Sequence, residues 1–394
     1  MRQEYTVNKE LITAHMPVCG HPALVTVLYE NGEASEVHVE PEMAASLTGR
    51  IILAKVEAVE KGISAAFLML SDKQRAYMPL TGSFSGLRPG DELPVQIVQE
   101  ALKTKLPKVS PEWEIAGKYL VLLTKAGKPS FSRKLTQEEK SGILRRIGEH
   151  IPQDCGILFR TRASGASAEE LEEECSQLYQ ALQDIRAKAL SRSCFSVLYE
   201  PPSLQQRMIS RCQPGELRRF LTDDKALAAD LSEPCRNMGA EIELYQDPQL
   251  ALFRLRSLTT LLDRLMASSV PLRSGGSLVI EQTEAFAVID VNTSRYTGKR
   301  DVLETIRHIN REAASEAAKQ IRLRQLSGTI LIDFINDPDL REEEELGRIL
   351  TDHFFRDPVY TKLVDFTKLH ICEITRRKIH RSLREQTASL KETL

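Results

Sequence analysis

Residues 287–299 read AVIDVNTSRYTGK and residues 328–336 read GTILIDFIN; how these two apolar runs end decides the fold. Each is a short, β-branched stretch that closes on a carboxylate, Asp290 in the first and Asp333 in the second, with Asn292 two residues past Asp290. Side chains alternate along a strand, so Asp290 and Asn292 share one face while Val291 points to the other. Between the runs, DVLETIRHINREAASEAAKQIRLRQL keeps apolar residues at 302, 303, 306, 309, 313, 317, 321 and 323, the period of a helix with one buried stripe. Asp301 with Glu304 predicts a capping-box start. Lys319, Arg322 and Arg324 ahead of Gly328 predict the helix end. Strand, helix, strand is a βαβ unit; if its strands are parallel, their carboxyl ends share one edge, where open α/β sheets build sites. Asp333 then lies beside Asp290 and Asn292.

Two carboxylates and an amide carbonyl make a hard, all-oxygen set that suits magnesium or manganese over zinc. Magnesium completes its shell with water and phosphate oxygens, so such a set points to phosphoryl chemistry. Spacing alone also admits a plainer reading, since aspartates at strand ends are common. Upstream, Ser274-Gly275-Gly276 opens a hairpin whose arms, SLVIE and AFAVIDVN, are joined by Gln282-Thr283-Glu284.

Outward from this core, HPALVTVLYENGEASEVHVE shows two alternating runs around Asn31-Gly32, the dipeptide that favours a two-residue hairpin turn. From Arg50 to about Lys108, short strands alternate with turn signals at Lys61-Gly62, Ser71-Asp72 and Pro89-Gly90-Asp91, a pattern that resembles an OB-fold barrel. Phe67 and Tyr77 fall on neighbouring strands with Lys55, Lys73 and Arg75 nearby. Aromatics beside bases on such a sheet stack nucleobases; the alternative is that Phe67 is barrel core.

Residues 117–162 carry another β-rich pattern, followed by an acidic helix, AEELEEECSQLYQALQDIRAKAL. Glu169, Glu170, Glu172, Glu173 and Glu174 complement the helix dipole in its first turns and are expected on a solvated face. Arg160-Thr161-Arg162 ends a strand and enters the loop Ala163-Ser164-Gly165, where an arginine fork beside a hydroxyl suits a terminal phosphate. Residues 201–267 read as mostly helical, in ELRRFLTDDKALAADL and QLALFRLRSLTTLLDRLMASS, with AEIELYQD as a strand between them; no chemistry is visible there.

The chain, with 394 residues, 42% hydrophobic and 27% charged, has the composition of a soluble globular protein of several domains. Its net charge of −2 excludes a globally basic nucleic-acid binder and confines any polyanion surface to a patch. The seven cysteines are scattered and never at CxxC spacing, which favours reduced thiols over disulfides or structural zinc. The amino terminus lacks the apolar core of a signal peptide, and no apolar run is long enough for a membrane span. The expectation is a cytoplasmic protein.

Three stretches, SGGSLVIEQTEAFAVIDVNTSRYTGK, EAAKQIRLRQLSGTILIDFIN and FTKLHICEITRRK, together resemble the catalytic domain of the bacterial ribonuclease E/G family. The resemblance implies an α+β and α/β multidomain chain. It comprises an RNase H-like subdomain from 1–47 and 201–267, an OB-fold RNA-binding module at 48–112, a 5′-sensor region at 113–200 and a DNase I-like catalytic domain at 268–394. It implies a metal-dependent endoribonuclease that cuts single-stranded, A/U-rich RNA and leaves 5′-phosphate products in RNA processing or decay. In that reading Asp290 and Asp333 hold magnesium, and Asn292 orients an aspartate or contacts the scissile phosphate. Arg160 and Thr161, with the backbone of Gly117 and Val121, bind a 5′-monophosphate, and Phe67, Tyr77 and Lys105 contact RNA. The chain departs from the family in lacking the CPxCxG zinc link, so zinc is not expected and any homo-oligomer is not held by one. His370 stands where the family commonly has glycine, Tyr360 where a basic residue is usual, and RIILAK replaces NIYKGK. A non-catalytic RNA-binding or ribosome-associated protein is the alternative these departures leave open.

Overall fold

The computed structural model describes residues 7–42, 47–80, 86–100, 106–293 and 302–391. Lys105 and Asp301, with the roles expected of them, lie outside these residues. The chain divides into two compact units, one formed by residues 1–45 and 212–394 and the other by residues 46–211.

The first unit begins with an antiparallel meander, β1 (Lys9–Val18), β2 (His21–Glu30) and β3 (Glu33–Pro41). Asn31 and Gly32 both take left-handed dihedrals, φ 52° and 82°, giving the two-residue turn whose twist matches that of the strands. The expected hairpin is therefore present, and β1 is added to it.

The second unit opens with β4 (Ile51–Glu60), β5 (Ala65–Ser71), β6 (Gln74–Pro79), β7 (Glu92–Gln99) and β8 (Lys108–Ser110). These pair in the order β4-β5-β6-β8-β7, and β7 returns to β4, closing a five-stranded barrel of the expected OB-like kind. Alternation fills it with Val56, Leu68, Met78, Val95 and Ile97, all at most 2% exposed, and turns Phe67 and Tyr77 outward.

Next come β9 (Glu114–Ala116), β10 (Leu120–Leu123), β11 (Ser130–Phe131), helix α1 (Gln137–Ile147) and β12 (Gly156–Phe159), forming a sheet in the order β11-β12-β10-β9. α1 lies inside the segment read as β-rich. Its signal is the capping box of Thr136 and Glu139, which satisfies two orphan donors of the first turn. α2 (Ala168–Ser191) has the same device in Ser167 and Glu170. Leu171, Cys175, Leu182 and Ile185 of α2 pack on Phe159 and Leu120 of the sheet. β13 (Val197–Tyr199) adds to β4, and α3 (Leu204–Ser210) closes the unit.

Back in the first unit are β14 (Leu217–Thr222), α4 (Lys225–Asp230), α5 (Ser232–Met238), β15 (Glu241–Leu244), α6 (Leu252–Leu255) and α7 (Leu258–Met266). β14 and β15 join β1 in parallel, making the sheet β15-β14-β1-β2-β3. Thus the helix expected over ELRRFLTDDKALAADL is a strand in its first half. Held between β1 and β15, Phe220, Leu221 and Thr222 are buried, and that pairing overrides local helical propensity. AEIELYQD supplies β15, as expected.

The last part contains β16 (Ser269–Pro271), β17 (Gly276–Gln282), β18 (Phe286–Thr293), α8 (Val302–Leu323), β19 (Gly328–Asp333), α9 (Leu340–Arg356), β20 (Thr361–Phe366), β21 (Ile371–Arg376) and α10 (Leu383–Ser389). The sheet runs β16-β17-β18-β19-β21-β20, with β18 and β19 parallel. Ile289, Val291, Ile330, Ile332 and Ile374 meet Ala313, Ala314, Ala317 and Ile321 of α8, and Leu346 and Leu350 of α9, in one core. The alanines let the helix lie close on the sheet. α8 does not reverse at Gly328; Gln325 does so at φ 53°, with Leu326 N–H donating to Ile321 O at 3.0 Å, a Schellman-type end.

Candidate active site and phosphate pocket

β18 and β19 pair in parallel with Asp290 opposite Asp333. The two carboxylates therefore stand on adjacent strands at the same carboxyl-terminal edge, on the face away from the Ile289–Ile332 core. Asn292 follows on the same face, and its Nδ2 donates to Asp290 Oδ2 at 2.7 Å. That bond fixes one carboxylate oxygen and leaves the Asn292 Oδ1 outward as a further oxygen donor.

Two carboxylates and one amide suit a magnesium-sized ion, which takes one or two protein carboxylates and keeps much of its water. Among the described residues no group of three or more His, Cys, Asp or Glu side chains forms a closed cage.

Immediately after Asp333 the backbone is braced from α8 by residues that the sequence did not reveal. Asn310, 3% exposed, pairs with the peptide of Ile335 in both directions, its Nδ2 donating to the carbonyl at 2.7 Å and its Oδ1 accepting from the N–H at 3.1 Å. Arg307 grips Asp337 through two bonds of 2.8 and 3.3 Å and holds its carboxyl below the usual range. Both positions sit one turn apart on the helix that connects the strands carrying Asp290 and Asp333. A polar residue at a core position of α8 was the available signal.

Ile371 of β21 lies opposite Asp333, so the turn before it borders the same edge. His370 in that turn has φ 64°. Glycine reaches this conformation without steric cost, whereas a histidine held in it is strained. Here the histidine is tethered instead, Nδ1 to Glu343 Oε1 of α9 at 2.6 Å.

In the barrel, Phe67 and Tyr77 are directly paired across β5 and β6, with ring centroids 6.1 Å apart in an edge arrangement. Both are half-buried on the outer surface, which removes the barrel-core reading of Phe67. The Arg75 guanidinium sits 5.8 Å from the Phe67 centroid and bonds Glu57 at 2.7 Å.

Arg160 leaves β12 half-buried, and its Nη1 donates to Gly117 O at 2.5 Å. The Gly117 N–H is already given to Leu120 O at 2.8 Å. Gly117 therefore serves as an anchor for the guanidinium. Thr161 stands exposed with its hydroxyl 2.9 Å from that of Ser132, while Val121 lies within β10, opposite Leu158. Burial and the neighbouring Arg211 lower the Arg160 pKa, against Glu174, which opposes them. The Arg211 charge therefore adds to the positive field at Arg160, which favours an anion there. Arg211, in a stretch where the sequence showed no chemistry, thus contributes charge to this pocket.

Glu174 departs from the solvated face expected for the acidic run. It accepts the N–H groups of Tyr119 and Leu120 at 2.8 and 3.0 Å, and a Cβ on Gly117 would come within 2.2 Å of its Oε1. Burial raises its pKa above the usual value although these amides and Arg160 pull the other way. Only glycine at 117 lets this carboxylate reach the loop. Glu170 likewise receives the Tyr119 hydroxyl at 2.7 Å.

One unit thus carries a pair of carboxylates at a strand edge of a mixed sheet, and the other a barrel with outward aromatics, groups of the kind that phosphoryl transfer and nucleobase stacking use. A profile of the Ribonuclease E/G family matches residues 114–379, more than half of the chain, and the chain belongs to that family. It is similar to Ribonuclease G of Escherichia coli strain K12, 29% identical over 94% of this chain and 81% of the relative. Ribonuclease G of Haemophilus influenzae is 28% identical over 90% of this chain and 77% of its own length. Ribonuclease E of Nostoc sp. is 28% identical over 84% of this chain and 51% of the relative.

Proposed function

We propose that the chain is a magnesium-dependent endoribonuclease of RNA processing or decay that cuts single-stranded, A/U-rich RNA and leaves 5′-phosphate products. The observation that carries this reading is the register of β18 and β19, which sets Asp290 beside Asp333 with Asn292 bonded to the former. Family membership and relatives named as ribonucleases support it.

Asp290 and Asp333 would hold the ion, magnesium or in its place manganese. When bound, it neutralises charge on the scissile phosphate and lowers the pKa of the attacking water. Asn292 keeps the Asp290 carboxylate in one rotamer and offers its Oδ1 to the site. Asn310 and Arg307 fix the chain beyond Asp333, so that the two carboxylates keep their separation when substrate arrives. Phe67 and Tyr77 stack unpaired bases, for which single-stranded RNA is the fitting partner. Arg160, Arg211 and Thr161 receive the 5′-monophosphate of the substrate. The sheet β15-β14-β1-β2-β3, with parallel strands appended to an antiparallel meander, fits the RNase H-like assignment for 1–47 and 201–267. The six-stranded sheet with α8 and α9 fits the DNase I-like one for 268–394. The other two domains are then the OB-fold module at 48–112 and the 5′-sensor region at 113–200. Among the described residues no helix is long and apolar enough to cross a membrane, and the cytoplasm is the proposed location.

The test is cleavage of an A/U-rich oligonucleotide with and without magnesium, bearing a 5′-phosphate or a 5′-hydroxyl. Magnesium-dependent product that disappears in Asp290→Asn is expected. Tight RNA binding with no product under any metal condition would leave a non-catalytic RNA-binding protein.

A further inference from the structure

Between β12 and α2 the chain makes a single 3-10 turn, Thr161–Ser164, with Arg160 as its N-cap. Arg160 and Thr161 therefore stand together at the start of that turn, and whatever sets the direction of the turn aims both side chains. The turn answers its own opening carbonyls. Arg160 O accepts from the Ala163 N–H at 3.0 Å, Thr161 O from the Ser164 hydroxyl at 3.0 Å, and Arg162 O from the Gly165 N–H at 3.2 Å. Later carbonyls of the loop are answered from outside it, by one side chain. Arg146, in the last turn of α1, donates through Nη2 to Ser164 O at 3.0 Å and Ala163 O at 3.3 Å, and through Nη1 to Ala166 O.

The Nε of Arg146 also donates to Gly142 O, one turn back on its own helix, at 3.2 Å. That bond holds the guanidinium against α1 and presets its reach toward the loop. With four bonds to backbone oxygens on a group that has five N–H donors, Arg146 acts as a brace for the loop and not as a ligand for an anion.

The elements on either side of the loop are held by other means. β12 pairs with β10 and with β11. α2 begins on its own capping box, Ser167 with Glu170. Ala163 and Ala166 are buried in the core that also contains Ile143 and Ile147 of α1 and Leu171 of α2. What Arg146 adds is the orientation of the peptides between these fixed points. Three carbonyls drawn to one planar fork cannot rotate independently. The turn is thereby kept in the direction that sends the Arg160 guanidinium to Gly117 O and the Thr161 hydroxyl to Ser132.

We propose that Arg146 is a positioning residue for recognition of 5′-monophosphorylated RNA, acting through the carbonyls of Ala163, Ser164 and Ala166 on Arg160 and Thr161. This rests on the reading of the Arg160 loop as the 5′-phosphate pocket. A loop ordered in advance binds more tightly because its ordering cost is not met at the moment of association. An oligonucleotide that ends in a hydroxyl does not draw on the loop and is indifferent to its order.

The test is equilibrium binding to the full chain without divalent ion, which makes it independent of turnover. It reads fluorescence anisotropy of a 3′-labelled A/U-rich oligonucleotide bearing a 5′-phosphate or a 5′-hydroxyl. The parent is expected to bind the phosphorylated form more tightly. In Arg146→Ala the ratio of the two affinities narrows by about three- to tenfold, while the hydroxyl form keeps its parent affinity. Guanidinium chloride at a sub-denaturing level restores part of that ratio in Arg146→Ala, and sodium chloride of equal ionic strength does not. Arg146→Gln, which keeps part of the aliphatic stem, narrows the ratio likewise and carries the test if the alanine variant fails to fold. A parent ratio retained in either folded variant overturns the inference and leaves the pocket reading standing. Equal weakening of both oligonucleotides also overturns it and reduces Arg146 to a support for stability, as does a ratio that guanidinium restores no better than sodium. A parent with no preference between the two ends overturns the pocket reading itself, and this inference with it.

Discussion

The carboxylate edge and the phosphate pocket are built in opposite ways. At the edge, Asp290, Asn292 and Asp333 come from two strands joined by one helix, and a single register pairing brings them together. In the pocket, Gly117, Arg160 and Glu174 arrive from three separate elements and meet through one backbone carbonyl, two backbone N–H groups and a half-buried carboxylate, with the charge of Arg211 added from a fourth. A site made by register is rigid and all-or-none. A site made by a web is graded, and each member can be adjusted without losing the others.

Variants test this contrast. Asp333→Asn should lower cleavage by about 10³-fold, the order lost when a preorganised charge is removed, with RNA affinity kept; a variant cutting at the parent rate would dissolve the edge as a site. Asn310→Ala leaves both polar groups of the Ile335 peptide unanswered in a buried place. We expect roughly 2–4 kcal/mol of destabilisation and, in whatever remains folded, about 10–100-fold less activity, read by denaturant unfolding alongside single-turnover rates. In the pocket, Arg160→Ala should narrow the preference for 5′-phosphate over 5′-hydroxyl substrate by about tenfold, leaving the hydroxyl substrate's rate unchanged; equal loss on both would mean a folding defect. Phe67→Ala, on the outer barrel surface, should weaken binding of single-stranded RNA by ~1–2 kcal/mol without moving the thermal midpoint.

The smallest effect is the most diagnostic of a graded site. Burial raises the Glu174 pKa, so the native state holds its proton more tightly than the unfolded chain does. Its stabilising contribution is complete below the ordinary glutamate range and is lost as pH rises through the raised folded value. Glu174→Gln should therefore gain stability relative to the parent as pH goes from about 4 to 7. It should also sharpen the 5′-phosphate preference a few-fold, since a negative charge beside Arg160 is gone. A difference between the two proteins that does not change with pH would place Glu174 in solvent.

The same contrast governs what could be read in advance. The Asn31-Gly32 turn and the acids of AVIDVN and ILIDFIN were legible because a short local pattern specifies each of them. The five-stranded barrel followed from evenly spaced turn signals. Arg211 and Glu174 were not legible: an arginine after a helix and one glutamate among five acquire meaning only from what lies across the fold. β14 was misread because LRRFLT satisfies helical and strand spacing alike, and the choice is made by β1, more than two hundred residues earlier in the chain. Asn310 was hidden because its partner is a backbone peptide, which has no sequence signature.

That long-range pairing has a consequence for biosynthesis. β1, β2 and β3 leave the ribosome well before β14, which follows only after the whole of Ser46–Arg211. At ~5–20 residues per second this takes on the order of 10–30 s. Throughout that interval the ten-residue β1, an interior strand of the finished sheet, is an open edge rich in apolar side chains, the kind of template on which nascent chains misassociate. The inserted unit therefore acts as a timer. The faster it folds and clears the path for β14, the shorter the meander's exposure, and a chaperone that shields short β-edges would find its client in this meander.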